Sequence, residues 1–345
     1  MFKLSLQTRT PLRKELPTQV YLEVTNYCNS LCASCPLTYK HFLPYEPKHH
    51  LTWDNFRQIV DQFPHLERVV LHGIGEPLLN PDLPRFISHL KERGANVLFN
   101  SNAILLNKAR GDALVAAGLD ELRVSLDAVT PELYAQLRGV DRLPQVIRNL
   151  EAFVKRHGGR ANPKVSLWWV AMQANLPQLP DFVRLAARIG ITEVYMQRLV
   201  YFGGGEMLAE NATMKAGQSL HAALELQQAR MIRECEQLAT ELGLTFRASG
   251  AATPSESVAS RGAHPWQGCL RPWILMYITA NGTALPCCVS PFATQDYPQI
   301  ILGNVLDSPV EKVWNDTPYQ ALRSAVLSEM PAPWPCQFCG VKWSL

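Results

Sequence analysis

Several features are missing from this 345-residue chain, and each absence closes off a class of protein. No stretch approaches the roughly 18 uninterrupted apolar residues of a membrane-spanning helix. The opening segment, MFKLSLQTRTPLRKELPTQ, has basic residues but lacks the apolar core of a secretory signal. An excess of one charge is missing too: 33 Lys and Arg against 30 Asp and Glu leave only +3. With no polybasic run to add to it, that balance argues against nucleic acid and anionic membranes as partners. No G-x-G-x-x-G follows the first expected strand, which counts against a Rossmann-type sheet. The expectation is a cytoplasmic protein, in a compartment where clustered cysteines serve metals more often than disulfides.

What is present is nine cysteines, unevenly spread. Three fall in VTNYCNSLCASCP, as Cys28, Cys32 and Cys35. None lies between Cys35 and Cys235. Five more, Cys269, Cys287, Cys288, Cys336 and Cys339, crowd the far end. Two separate metal sites are expected. The first group follows directly on an expected strand, in the loop where parallel α/β barrels keep their chemistry. A structural zinc normally takes four protein ligands. Three cysteines spaced C-x3-C-x2-C suit a [4Fe–4S] cluster that leaves one iron open. Unconnected thiols, or zinc with a distant fourth ligand such as His41, are the alternatives.

From residue 19 to about 197, short apolar runs alternate with longer amphipathic ones. Residues 20–25, 68–73, 96–100, 121–127, 165–171 and 193–197 read as strands, rich in Val, Leu and aromatics. Between them lie helical patterns. Thr52 is an expected N-cap, Gly94 closes one helix and Gly190 another. Further helices are expected near 107–117, 144–156 and 179–189. Such alternation means parallel βαβ units, and six of them fall short of a closed eightfold barrel. The expected class is α/β: a partial (β/α)6 TIM-like barrel over 18–243, a linker over 244–264, and a small domain over 265–345. In that last domain, ILMYITANGTALPCC reads as a β-hairpin turning on Asn281-Gly282 with a type I′ turn. Short helical pieces near 309–327 follow. So small a domain gains from a metal.

The cysteine loop, in this position, resembles that of the radical S-adenosylmethionine (radical SAM) superfamily. Its other marks follow in order. His72-Gly73-Ile74-Gly75-Glu76-Pro77 is similar to the family's G-G-E-P motif, and Asn100-Ser101-Asn102 to its T-N-G. Ser125-Leu126-Asp127 with Leu137-Arg138-Gly139 resembles its S-L-D and R-G run. The resemblance covers roughly 20–200. It implies a SAM-binding [4Fe–4S] cluster on Cys28, Cys32 and Cys35, with Gly73, Gly75, Glu76, Asn102, Ser125 and Arg138 around the SAM. The Glu76 region would receive the methionine amino group, Ser125 the ribose or carboxylate, and Arg138 the carboxylate. One departure is Ser34, where the family often has an aromatic against the adenine. Tyr27 or Val200 would have to serve instead. Singly, Glu76 could merely end a strand, and Ser125 and Asp127 could cap the helix near Pro131.

Cys269, Cys287, Cys336 and Cys339 can form a four-thiolate site, for iron–sulfur or for zinc. The spacing from Cys269 through Gly282 to Cys287, with the closing C-x-x-C, resembles the SPASM/twitch extension of radical SAM enzymes. It implies a second, auxiliary [4Fe–4S] cluster, and the chain's end soon after Cys339 leaves room for one only. Cys288 is expected as a packed thiol on the opposite strand face, and Cys235 as a core filler in a helix. The resemblance implies cleavage of SAM to a 5′-deoxyadenosyl radical and hydrogen abstraction from a small-molecule or peptide substrate. It further implies a net oxidation drained by the auxiliary cluster, with an external flavodoxin- or ferredoxin-type electron donor. A redox-neutral epimerase, mutase or peptide maturase is the alternative, and a zinc-stabilised binding module a more remote one. Only about 18 residues precede the first strand, which argues against a leader-binding domain there. His72, Tyr201 and Glu206 are placed at the same end of the barrel without an assigned role.

Overall fold

A computed structural model describes residues 9–39, 43–199, 216–220, 224–249, 253–259, 269–292, 297–328 and 336. Val200, expected on the sixth strand, the loop residues Tyr201 and Glu206, and His41 and Cys339 lie outside them. Ten strands form one sheet. They are β1 (Gln19–Leu22), β2 (Arg68–Val70), β3 (Asn96–Ser101), β4 (Glu121–Ser125), β5 (Lys164–Ala171), β6 (Glu193–Arg198), β7 (Thr245–Ala248), β8 (Leu275–Ile278), β9 (Thr283–Leu285) and β10 (Gly303–Asn304). The first seven run parallel and in sequence order. Helices α1 (Pro36–Tyr39), α2 (Trp53–Val60), α3 (Leu83–Glu92), α4 (Lys108–Ala116), α5 (Pro131–Arg138), α6 (Leu143–His157), α7 (Leu179–Ile189), α8 (Leu226–Glu241) and α9 (Pro254–Ala259) punctuate that series. After them come α10 (Arg271–Ile274), α11 (Val310–Asn315) and α12 (Thr317–Leu327).

The local chemistry explains the elements. Thr52 caps α2 by accepting from Asn55 N, and Phe56, Ile59 and Val60 turn inward at helical spacing. Helix α7 buries Leu179, Phe182, Val183 and Ala186, and stops where Gly190 adopts φ 86. The sheet is apolar on both faces, as at Val97, Leu98 and Phe99, because helices cover one side and the barrel interior fills the other. Phe56 and Phe86 stack at 4.3 Å between α2 and α3.

The partial barrel stands, with three changes to the expected layout. The six expected parallel strands are followed by a seventh: Thr245–Ala248 pairs with β6, and α9 packs after it, where a linker over 244–264 was expected. Ser255 donates from both N and Oγ to Glu236 on α8, fixing α9 in place. Second, the C-terminal hairpin is no detached unit. Strand β8 lies parallel against β1, with Gln19 opposite Leu275, so the hairpin extends the barrel sheet on its open side. Third, the turn at Asn281-Gly282 is not type I′. That type needs positive φ at both central residues, and among the described non-glycine residues only Ala103 has it. Instead Gly282 N donates to Thr279 O and Gly282 alone is left-handed, φ 83, the pattern of a turn closed by a glycine bulge.

Candidate active site

At the C-terminal ends of β1 to β6 one pocket of about 160 Å³ opens. Cys28, Cys32 and Cys35 line it, with Gly73, Gly75, Glu76, Asn102, Ser125 and Arg138. All nine are residues the sequence singled out.

Hydrogen bonds fix the cysteine loop on two sides. On one, Glu76 N donates to Tyr27 O at 2.8 Å, and a Cβ on Gly75 would collide with the Thr25 carbonyl. On the other, Leu31 N donates to Arg138 O at 3.1 Å and Ala33 N to Leu137 O at 3.0 Å. The loop thus sits on the last turn of α5, using carbonyls that the helix end leaves free. Gly139, at φ 68, is needed there because a Cβ would strike the Leu31 carbonyl.

Two of the expected SAM contacts, Glu76 and Asn102, line the pocket and also brace its loops. The buried Glu76 carboxylate accepts from Ser101 Oγ (2.8 Å), Asn102 N (2.7 Å) and Leu78 N (3.1 Å), tying the second loop to the third. Asn102 Nδ2 donates to Asn29 Oδ1 at 2.7 Å and to Ser30 Oγ at 3.2 Å, so it steadies the cysteine loop. The left-handed position that favours glycine in T-N-G is Ala103, φ 57, one residue beyond the triplet assigned from sequence. Asp127 caps no helix. It accepts from Val170 N at 2.9 Å and pairs with Arg138 Nη2 at 2.7 Å. Ser125 lines the pocket.

Sequence reasoning missed Asp127 as an ion-pair partner, Phe292 as a pocket wall, and Glu23. Glu23 stands behind Gly73, accepting from Ile74 N (2.8 Å) and, more distantly, from Tyr277 Oη and Ala280 N (both 3.3 Å). Burial pushes its carboxyl up to about 7. His72 also lines the pocket. Burial, helped by the Arg123 charge, lowers it to about 4, so its ring is neutral at physiological pH.

These residues fit a cluster and SAM. Burial raises all three thiols, Cys28 to about 11, so thiolates there need a metal to hold them. Among the described residues, no three Cys, His, Asp or Glu crowd a point as ligands of one ion would. A four-iron cluster takes each thiolate on its own corner and so wants them further apart. Arg138 Nε and His72 Nδ1 are buried without hydrogen-bond partners, two polar atoms open to a polar guest.

The second cysteine group is only partly described. Cys269, Cys287 and Cys288 surround the buried Arg271. Burial works against that guanidinium's charge, but the three sulfurs, Cys288 foremost, outweigh it and raise its pKa. Cys288 packs on the apolar cluster of Tyr277 and Leu285, which also touches Cys28 and Cys35. Cys336 is half-buried against the main core, and Cys235 is buried on α8.

Comparison with known proteins agrees. Residues 22–164 match the radical SAM superfamily, and residues 269–340 match an iron–sulfur cluster-binding domain, SPASM. The chain belongs to the radical SAM superfamily. More narrowly, it is a radical SAM enzyme with a SPASM domain, a type that carries a SAM-binding [4Fe–4S] cluster and further iron–sulfur centres. It is similar to the mycofactocin maturase MftC of Mycobacterium ulcerans, 26% identical over 94% of this chain and 81% of that one. It is also similar to the AdoMet-dependent heme synthase of Methanosarcina barkeri, 23% identical over 87% and 82%. Its fold matches Streptococcus suis SuiB bound to S-adenosylmethionine, TM-score 0.68 at 19% identity, covering 94% of this chain and 71% of SuiB. SuiB bound to its precursor peptide SuiA matches with TM-score 0.65, at 18% identity over 94% and 70%. No described helix is long and apolar enough to cross a membrane.

Proposed function

We propose that Cys28, Cys32 and Cys35 hold the SAM-binding cluster and that the enzyme performs a net oxidation, its electron passing to one auxiliary cluster on Cys269, Cys287, Cys336 and Cys339. The observation behind this reading is Phe292. It lies in the cysteine-bearing C-terminal segment, soon after Cys287, yet lines the pocket of the first three cysteines. Cys28, Cys35 and Cys288 also pack on one apolar cluster, which supports an electron path between the two groups.

Cys28, Cys32 and Cys35 would hold the cluster, which once reduced would supply, with SAM, one-electron chemistry able to take hydrogen from an unactivated carbon. The chain's own residues do the rest. Arg138, with its free Nε, meets the SAM carboxylate. Gly73 and Gly75 let the loop after β2 pack directly on Glu23 and the Thr25 carbonyl, setting the backbone that would receive the methionine end, while Ser125 and Asn102 would edge the remainder. Val170, Leu199 and Phe292 keep water from the reacting carbon. His72 is neutral and offers a ring nitrogen without a partner to a polar group of the substrate. A peptide is the favoured substrate class, since SuiB, whose fold matches 94% of this chain, binds the precursor peptide SuiA. A cytoplasmic flavodoxin or ferredoxin would supply the first electron.

Anaerobic reconstitution tests the assignment. About eight irons per chain are expected, falling to about four when Cys28, Cys32 and Cys35 are replaced by Ala. The same triple variant should yield no 5′-deoxyadenosine from SAM under dithionite. Zinc in place of iron would remove the radical reading, and SAM regenerated at each turnover would remove the oxidation.

A further inference from the structure

Arg138 touches more than the SAM side of its pocket. Its Nη1 lies 3.8 Å from Cys32 Sγ, within reach of a sulfur acceptor. Its Nη2 lies 2.7 Å from Asp127 Oδ2. Both partners are nearly sealed from water, Arg138 at 8% and Asp127 at 4% exposure. The planar fork is thus stretched between a carboxylate and a cluster ligand, a span that a lysine's single nitrogen cannot bridge. The backbone of the same residue holds the same loop, through Leu31 N to Arg138 O. Loop, helix end and guanidinium form one closed unit around Cys32.

We propose that Asp127 aims Arg138 at Cys32 so that it donates an N–H···S hydrogen bond to that cluster ligand, making Arg138 a positioning residue that sets the cluster's reduction potential. The inference rests on the assignment of Cys32 to the SAM-binding cluster. Hydrogen bonds to sulfur and nearby charge are principal levers on such potentials. A buried cation favours the reduced, more negative cluster, so removing it makes reduction harder. This is a separate role from receiving the SAM carboxylate, because it operates before SAM arrives.

The test uses the reconstituted full-length enzyme without SAM, followed by EPR-monitored redox titration. The signal that later responds to added SAM identifies the first cluster. Arg138→Gln should weaken its reduction about tenfold, a midpoint about 59 mV more negative. Arg138→Lys, which keeps the charge but loses the fork, should fall between. A wild-type midpoint in Arg138→Gln, with only SAM affinity reduced, would overturn the proposal while leaving the SAM assignment standing. Should the Gln variant fail to fold, the wild type decides. With guanidino-15N arginine, pulsed EPR should show a nitrogen coupling on the SAM-responsive signal that disappears in Arg138→Lys. Absence of that coupling would overturn the proposal equally. A first cluster that never assembles on Cys28, Cys32 and Cys35 would instead defeat the assignment beneath it, and iron content shows which has failed.

Discussion

The two cysteine groups are built in opposite ways. The first hangs on a loop braced by three neighbouring βα units: Glu76 at one flank, Asn102 beneath, and the end of α5 at the other. Its sulfurs face a pocket with room for a guest. The second is gathered from residues on either side of a hairpin and includes a buried Arg271 among its sulfurs. A site that must bind and release SAM needs a rigid frame and a gap. The second group instead has a buried counter-charge beside it. The contrast teaches that the same side chain, cysteine, is given two different environments in one chain.

Three experiments break or sharpen that contrast. The largest effect is expected from Cys32→Ala against Cys269→Ala. The first should abolish 5′-deoxyadenosine formation altogether. The second should lower iron content yet leave SAM cleavage measurable. Equal loss of cleavage in both would erase the distinction. Next comes Gly139→Ala, which forces a side chain onto left-handed backbone against the Leu31 carbonyl. Strain of about 1–3 kcal/mol is expected, read as a lower melting temperature and poorer loading of the first site. Gly159→Ala is the control, with no atom within 4 Å of the new Cβ and no positive φ. Matching melting temperatures would show that the α5 contact does not frame the loop.

The last test is a pH slope, gradual at each step. Glu23 is raised from 4.5 to about 7, so between those values the folded chain holds a proton that the unfolded chain has lost. Stability from this group is full below the lower value and declines as pH rises through the window, by at most about 1.4 kcal/mol per unit. Above about 7 the loss is complete and levels off. Glu23→Gln should flatten the decline in denaturant titrations at pH 5, 6 and 7. An unchanged slope would mean that Glu23 is ionised throughout.

Much of this was legible in the sequence, because periodicity and spacing are local. The strand series, Thr52 as a cap, Gly190 as a stop and the three-cysteine loop all depend on near neighbours. The lost strand, Thr245–Ala248, is different. As an edge strand it has one partner and only Ala248 fully buried, so its apolar signal is faint. Nor could spacing show that Glu76 is consumed by Ser101 and Asn102, or that Arg138 reaches a sulfur 106 positions away in sequence. Motif positions mark where a residue stands. Whether it faces the guest or braces the wall is decided by contacts across the barrel.

The pairing of β8 with β1 has a consequence for how the protein is made. Gln19 meets Arg68 on β2 early, but its partner on the other side is Leu275. At roughly 5–20 residues per second, that side of the first strand waits on the order of tens of seconds for its mate to leave the ribosome. Throughout that interval the nascent chain presents an unpaired strand edge next to three bare thiols. Newborn molecules are then most open to mispairing, and chains cut short before residue 275 should remain so.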